Sequence, residues 1–203
     1  MQSTLSLSFP LILASNSPRR REILGQAGFA FSVVASDIDE SFPGDMPLNE
    51  VPVFLSEKKA RVLADINPHA IILAADTVVI LDQLILNKPN DKSEAREMLQ
   101  LLSGKTHEVV TGITLITPNE TVSIADSAMV SFRALGDWEV DWYVKGGFGL
   151  DKAGAYGVQD FIGMAGIEKL DGSFYTVMGL PIFHVFNLLT PYILDGKQAQ
   201  IQF

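Results

Sequence analysis

The chain has no cysteine in its 203 residues, which excludes disulfides, thiolate metal sites and a cysteine nucleophile, and suits a reducing, cytoplasmic setting. Positive charge is also scarce: 15 Lys and Arg stand against 24 Asp and Glu, for a formal net charge of -9. General nucleic-acid binding relies on a broad basic surface and is therefore disfavoured, so any phosphate must be met by a local basic cluster. Long uninterrupted apolar runs are missing too. The longest, residues 70–86, is broken by Asp76 and Asp82, and no basic stretch precedes the apolar residues near the N-terminus, so neither a membrane span nor a signal peptide is expected. The three histidines lack metal-ligand spacing. No Walker A, Gly-x-Ser-x-Gly or Rossmann glycine pattern occurs, which disfavours zinc hydrolase, P-loop and dinucleotide-binding classes. With no repeat, no low-complexity tract and no clear linker, residues 1–203 read as one unit. Its 47% hydrophobic content is enough for one sizeable core or two lobes sharing a cleft.

What the chain does have is an unusual helix start. Residues 11–14 read as a buried strand, Ser17 as an N-cap and Pro18 as the first helical residue, and three arginines, Arg19, Arg20 and Arg21, follow at once. A helix N-terminus carries roughly half a positive charge, so three cations there repel it and one another unless an anion is bound. Free amides, the Ser15 hydroxyl and guanidinium forks all suit phosphate oxygens. The same turn also reads as a solvated basic surface with no ligand.

The second signal is Asp76, a carboxylate inside an apolar strand spanning residues 70–81. Buried unpaired, it would cost several kcal/mol or be forced neutral, so it needs a cation, a metal or a hydrogen-bond network. At a strand end facing a cleft it can hold a divalent metal or take a proton from water, with the Thr77 hydroxyl beside it. The alternative is a strand-terminating Asp bonded to nearby amides. Asp37, Asp39 and Glu40 form an acidic cluster that suits Mg²⁺ or a plain solvated loop, and Lys59 and Lys88 suit phosphate or solvent equally.

Periodicity places strands at 31–35, 84–86, 107–117 and 121–132, and helices at 19–27, 49–64, 93–102, 137–144 and 181–189. In the 49–64 helix, Val51, Phe54, Leu55, Val62 and Leu63 are expected to face the core. Residues 146–157 are too glycine-rich for either element and read as a loop reaching a site, and Asp171-Gly172 reads as a hairpin turn. Trp138, Trp142 and Tyr143 are expected to serve packing.

Leu13-Ala-Ser-Asn-Ser-Pro-Arg-Arg20, Ala75-Asp-Thr-Val-Val79, Lys88-Pro89 and Asp151-Lys-Ala-Gly-Ala-Tyr-Gly-Val-Gln159, in this order, resemble the motifs of the Maf nucleoside triphosphate pyrophosphatases. Ser103-Gly104, His107, Thr111-Gly112 and Gly179-Leu-Pro181 extend the resemblance to residues 11–189. It implies an α/β fold, a mixed twisted sheet flanked by helices with two lobes around a central cleft, similar to inosine triphosphate pyrophosphatases. It further implies cleavage of a nucleoside triphosphate to the monophosphate and pyrophosphate, assisted by Mg²⁺ or Mn²⁺. By position, Asp76 matches the proton acceptor, and Arg19, Thr77 and Gln159 match the residues of substrate choice. Glu40, Lys59 and Lys88 match charged cleft residues, with Ser15 and Arg20 beside the phosphates and a metal between Glu40, Asp76 and the substrate.

The arginine after Ser17-Pro18, the threonine after Asp76 and the loop ending in Gln159 resemble the subgroup acting on dTTP and UTP. Asn16, where a small residue is usual, and Asn87 depart from the commoner motif. The remaining expectations are a homodimer, and as alternatives a pyrophosphatase for modified nucleotides such as 7-methyl-GTP or ITP, or a nucleotide-responsive regulator of septum formation.

Overall fold

Strand β3 (Ile71–Leu81) organises the molecule, because every residue in it except Thr77 is buried. A strand buried on both faces needs a layer of helices on each side and a paired strand at each edge. The computed structural model, which describes residues 4–194, supplies both. A seven-stranded mixed sheet runs in the order β2 (Ser32–Val33), β1 (Leu11–Ala14), β3, β5 (Thr106–Ile116), β6 (Thr121–Phe132), β7 (Ile167–Asp171), with β4 (Leu84–Leu86) folded back on β3. β1 is parallel to β2 and β3, and the remaining pairs are antiparallel.

One edge of β3 changes partner along its length. Residues 71–74 pair with β1 and residues 79–81 with β4, so residues 75–78, including Asp76 and Thr77, have no strand neighbour on that side. The sheet is therefore open at the two polar residues of an otherwise apolar strand.

Alternation along β3 then assigns each of them a face. Ile72 and Ala74 pack on Ala60 and Leu63 of α2 (Val51–Ala64), and Val78 and Ile80 on Val51 and Leu55 of the same helix. Asp76 shares that parity. On the opposite face Ile71, Leu73 and Ala75 meet Leu24 of α1 (Pro18–Gln26) and Val185 and Leu189 of α7 (Ile182–Leu189). Farther along that face Val79 and Leu81 join Leu99 and Leu102 of α3 (Lys92–Leu102) and Val140 and Tyr143 of α4 (Asp137–Lys145). Thr77 lies between these two clusters.

α2 approaches the sheet closely because Gly112, opposite Asp76 in the β3–β5 ladder, has no side chain. A Cβ there would lie 2.3 Å from the backbone of Pro52 and Val53.

Several local expectations change in the folded chain. The strand at 31–35 shortens to β2, which joins the sheet by pairing with β1. Val62 is 45% exposed because the buried stripe of α2 runs through Leu55, Ser56, Lys59, Ala60 and Leu63 and leaves it to one side. Asp171-Gly172 does not turn a hairpin. β7 ends at Asp171, and Ser173 caps a short helix, α6 (Phe174–Met178), by accepting from the Tyr175 amide. A second short helix, α5 (Phe161–Gly166), precedes β7. Tyr143 is fully buried as expected for packing, whereas Trp138 and Trp142 are 68% and 54% exposed. α4 presents only one face to the core, and both tryptophans fall off it.

Candidate active site

A cleft of about 560 Å³ opens at the gap in the sheet. Ser15, Arg19, Arg20, Glu40, Lys59, Asp76, Thr77, Lys88 and Gln159 all line it. They come from the end of β1, the first turn of α1, the loop before α2, the buried face of α2, the unpaired stretch of β3, the turn after β4 and the loop after α4. Asp37 and Asp39 do not line it. Asp39 instead accepts from the Ser41 amide and hydroxyl, closing a turn that Lys58 holds through the Asp39 and Ser41 carbonyls.

On the α2 side, Lys59 Nζ lies 2.6 Å from Asp76 Oδ1 and 2.7 Å from Glu40 Oε1. This is the cation that a carboxylate inside β3 requires, delivered by the helix that Gly112 admits. Burial alone would raise the Glu40 pKa, but the Lys59 hydrogen bond and charge, with Lys88 and Arg20, outweigh it and hold it below the ordinary value.

On the other face, Arg20 is clamped. Its Nε donates to Gly179 O at 2.8 Å and its Nη2 to Thr77 Oγ1 at 3.0 Å, while Nη1 faces Ser15 Oγ at 3.4 Å. Desolvation lowers the Arg20 pKa, and the nearby Asp76 and Glu40 charges oppose that shift.

The three arginines of the helix start avoid one another by separating. Arg19 reaches across to Asp151 Oδ2 at 2.6 Å, Arg20 turns inward and Arg21 is exposed. The protein thus supplies an anion of its own at this turn. The Asp151 carboxyl, which desolvation would raise, is brought down to about 2 by Lys152 and Arg19.

Gln159 offers a different feature: its side-chain oxygen is buried at the cleft and has no hydrogen-bond partner among the described residues. An unsatisfied buried acceptor costs about 1–3 kcal/mol, so a donor from a bound molecule would recover that cost.

A family profile described as Maf-like protein matches residues 10–192. The chain belongs to the Maf-like family. Among curated relatives, a protein named dTTP/UTP pyrophosphatase from Bacillus pumilus is 42% identical over 182 residues, covering 90% of this chain and 96% of the relative. One of the same name from Phocaeicola vulgatus is 39% identical over 183 residues, covering 89% and 95%. A solved structure titled "The structure of the Staphylococcus aureus Ham1 protein" overlaps more distantly, with a TM-score of 0.41 and 15% identity over 61% of this chain and 71% of that one.

The cleft of this Maf-like chain also holds residues that the sequence did not single out. Lys152, Tyr156, Met178 and Gly179 line it, and Asp151 ties the 146–157 loop to α1. Except for Met178, all sit in motifs that carry the resemblance, but composition and spacing assign none of them a partner: Asp151 meets Arg19 across 132 residues and Gly179 meets Arg20 across 159.

No group of three His, Asp or Glu suited to a metal occurs among the described residues. Glu40 and Asp76 each give one oxygen to Lys59, and the second oxygen of each accepts no hydrogen bond among the described residues. Two carboxylates are the donor set that Mg²⁺ accepts when substrate phosphates and water complete its shell. The site fits a cation shared with substrate and does not form a cage.

His107 of this family member, although named among the motifs, stands behind the cleft wall. It is 1% exposed, its Nε2 lies 2.7 Å from the Tyr156 hydroxyl and its ring stacks on Phe132. Desolvation lowers its pKa from 6.5 to about 4. The unfolded chain therefore binds this proton first as the pH falls through 6.5, and the folded chain only near 4, so stability falls with pH across that window. Between about pH 7 and about pH 5 the expected loss from this group is about 2 kcal/mol, read from urea midpoints. His107→Gln, which keeps a partner for Tyr156 but does not titrate, should remove that loss, and an unchanged pH slope would contradict the assignment.

Proposed function

We propose that this chain hydrolyses dTTP and UTP to the nucleoside monophosphate and pyrophosphate. The carrying observation is that Arg20, Lys59 and Lys88 meet Asp76 and Glu40 in one cleft of a protein whose relatives are named for that reaction. Arg20 and Lys88 offer positive charge to the triphosphate, and Lys59 holds Asp76 and Glu40 in place while sharing its own charge with the same site. Release of pyrophosphate requires water to attack the α-phosphorus as the bond to the bridging oxygen breaks. Asp76, facing the cleft from the unpaired stretch of β3, orients that water and takes its proton. A divalent cation held between Glu40, Asp76 and the substrate would neutralise charge developing on the phosphate oxygens.

Base choice rests on Gln159, Thr77 and Arg19. The unpartnered Gln159 oxygen accepts from the imide N–H of uracil or thymine, and its amide N–H donates to an adjacent carbonyl. Rate enhancement then comes from positioning and from charge stabilisation.

The test is pyrophosphate release from dTTP, UTP, CTP, 7-methyl-GTP and ITP, each with Mg²⁺, with Mn²⁺ and with chelator. Metal-dependent turnover of dTTP and UTP at least about tenfold above the others is expected, since an unmatched hydrogen-bonding edge leaves buried polar groups unpaired. Preference for 7-methyl-GTP or ITP would keep the chemistry and replace the base assignment. No turnover of any nucleotide would leave the regulatory role in septum formation as the better reading.

A further inference from the structure

Arg20 is held by a closed ring of hydrogen bonds whose far side lies outside the cleft. Thr77 Oγ1, which accepts from Arg20 Nη2, is 2.9 Å from Thr111 Oγ1, its direct partner in the β3–β5 ladder. Thr111 Oγ1 in turn donates to Thr176 O in α6 at 2.7 Å. The helix α6 ends at Gly179, whose carbonyl accepts from Arg20 Nε. The ring thus runs from Arg20 to Thr77, Thr111, α6, Gly179 and back to Arg20.

The proton directions around it are determined. A hydroxyl carries one proton, and Thr111 spends its own on the Thr176 carbonyl, so toward Thr77 it can only accept. Thr77 therefore donates to Thr111 and presents lone pairs alone to Arg20 and the cleft. With Nε and one Nη2 N–H committed, the guanidinium keeps its second Nη2 N–H and the Nη1 group, which lies beside Ser15 at the cleft.

Gly179 completes the fit. It has φ +102°, and a Cβ there would lie 3.1 Å from Thr77 Oγ1. Thr176 is anchored independently, because its own hydroxyl donates to the Asp126 carboxylate on β6.

We propose that Thr111, fully buried and without contact to the cleft, is a positioning residue: it fixes the polarity of Thr77 and the seat of α6, and through both it aims Arg20 at the substrate phosphates. The proposal rests on the reading of Arg20 as a phosphate-binding group.

Thr111→Val keeps the shape and removes the hydroxyl, whereas Thr111→Ser keeps the hydroxyl and loses a methyl. If the ring matters, the valine variant raises the KM for dTTP and the Kd for inorganic pyrophosphate about tenfold with kcat changed less than about threefold, and the serine variant stays within about twofold. A packing role predicts the reverse order, with serine the worse of the two.

The decisive measurements are steady-state kinetics with dTTP and calorimetric titration of the whole protein with pyrophosphate. Wild-type-like constants in both variants, or a serine variant weaker than valine, overturn the proposal. If the valine variant fails to fold, alanine replaces it in the same comparison with serine. A wild-type protein that neither cleaves dTTP nor binds pyrophosphate overturns the functional reading, and this proposal with it. A wild type that binds pyrophosphate as tightly as the valine variant overturns the ring alone.

Discussion

Asp76→Asn is expected to lower kcat for dTTP by at least about a hundredfold while leaving a folded protein that still binds pyrophosphate. The amide cannot take a proton from water, and its oxygen is a weak ligand for a hard cation. The protein should survive the change because Lys59 does not become an uncompensated buried charge: it keeps Glu40 at 2.7 Å and can still donate to the asparagine oxygen. Thermal unfolding and pyrophosphate titration of the variant separate a catalytic loss from a structural one. Retention of more than about a tenth of the wild-type turnover would remove Asp76 from the role of proton acceptor. Turnover lost together with pyrophosphate binding would assign it to holding the site together instead.

Gly112→Ala should have the largest effect on stability. A methyl group at that position would meet the backbone of Pro52 and Val53 at 2.3 Å, a contact with main chain that cannot be relieved by a rotamer change. Relief requires the N-terminal turn of α2 to lift from β5. Overpacking of this kind costs about 3 kcal/mol or more when the obstacle is backbone, which lowers the Tm by roughly 10 °C for a chain of this size. Because Lys59 rides on α2 and must reach both Asp76 and Glu40, activity should fall more than tenfold even in the folded fraction, on the scale expected when a positioning group moves by about 1 Å. Differential scanning calorimetry and dTTP turnover measured well below the Tm test the two parts separately. A variant within about 1 kcal/mol of wild type would show that α2 can shift freely and that its closeness to the sheet is not required.

The paired expectation for these two positions follows from their register. Asp76 and Gly112 are direct partners across β3 and β5 and share the face beneath α2. The smallest residue thus sits beside the most costly one, and the space left by the first admits the helix that neutralises the second.

Much of this arrangement was legible before folding. The apolar run around Asp76 marked a carboxylate that must find a partner, since desolvating it alone is too costly. Ser17 and Pro18 marked a helix start, and Ser17 does cap it, accepting from the Arg20 amide. The crowding of Arg19, Arg20 and Arg21 marked a turn in need of negative charge. What was not legible was where these needs are met. Asp151, which neutralises Arg19, lies 132 residues away, and Thr77, Thr111 and Gly179 become a ring around Arg20 only when three separate segments come together. The short helices α5 and α6 were missed because their few residues carry no resolvable helical period, and α6 owes its place to Thr111 and Asp126 rather than to local preference.

By itself, then, the sequence determined the quantities that depend on neighbours along the chain: which segments bury, where helices begin, and which charged groups cannot remain alone. Only the tertiary structure decided which cation answers which carboxylate, that the sheet parts at residues 75–78, and that Asp76 and Thr77, adjacent in sequence, serve opposite faces of one cleft. The reason is physical. Burial and capping free energies are set within a few residues, whereas an ion pair at 2.6 Å depends on the relative placement of α2 and β3, which the packing of the whole sheet fixes.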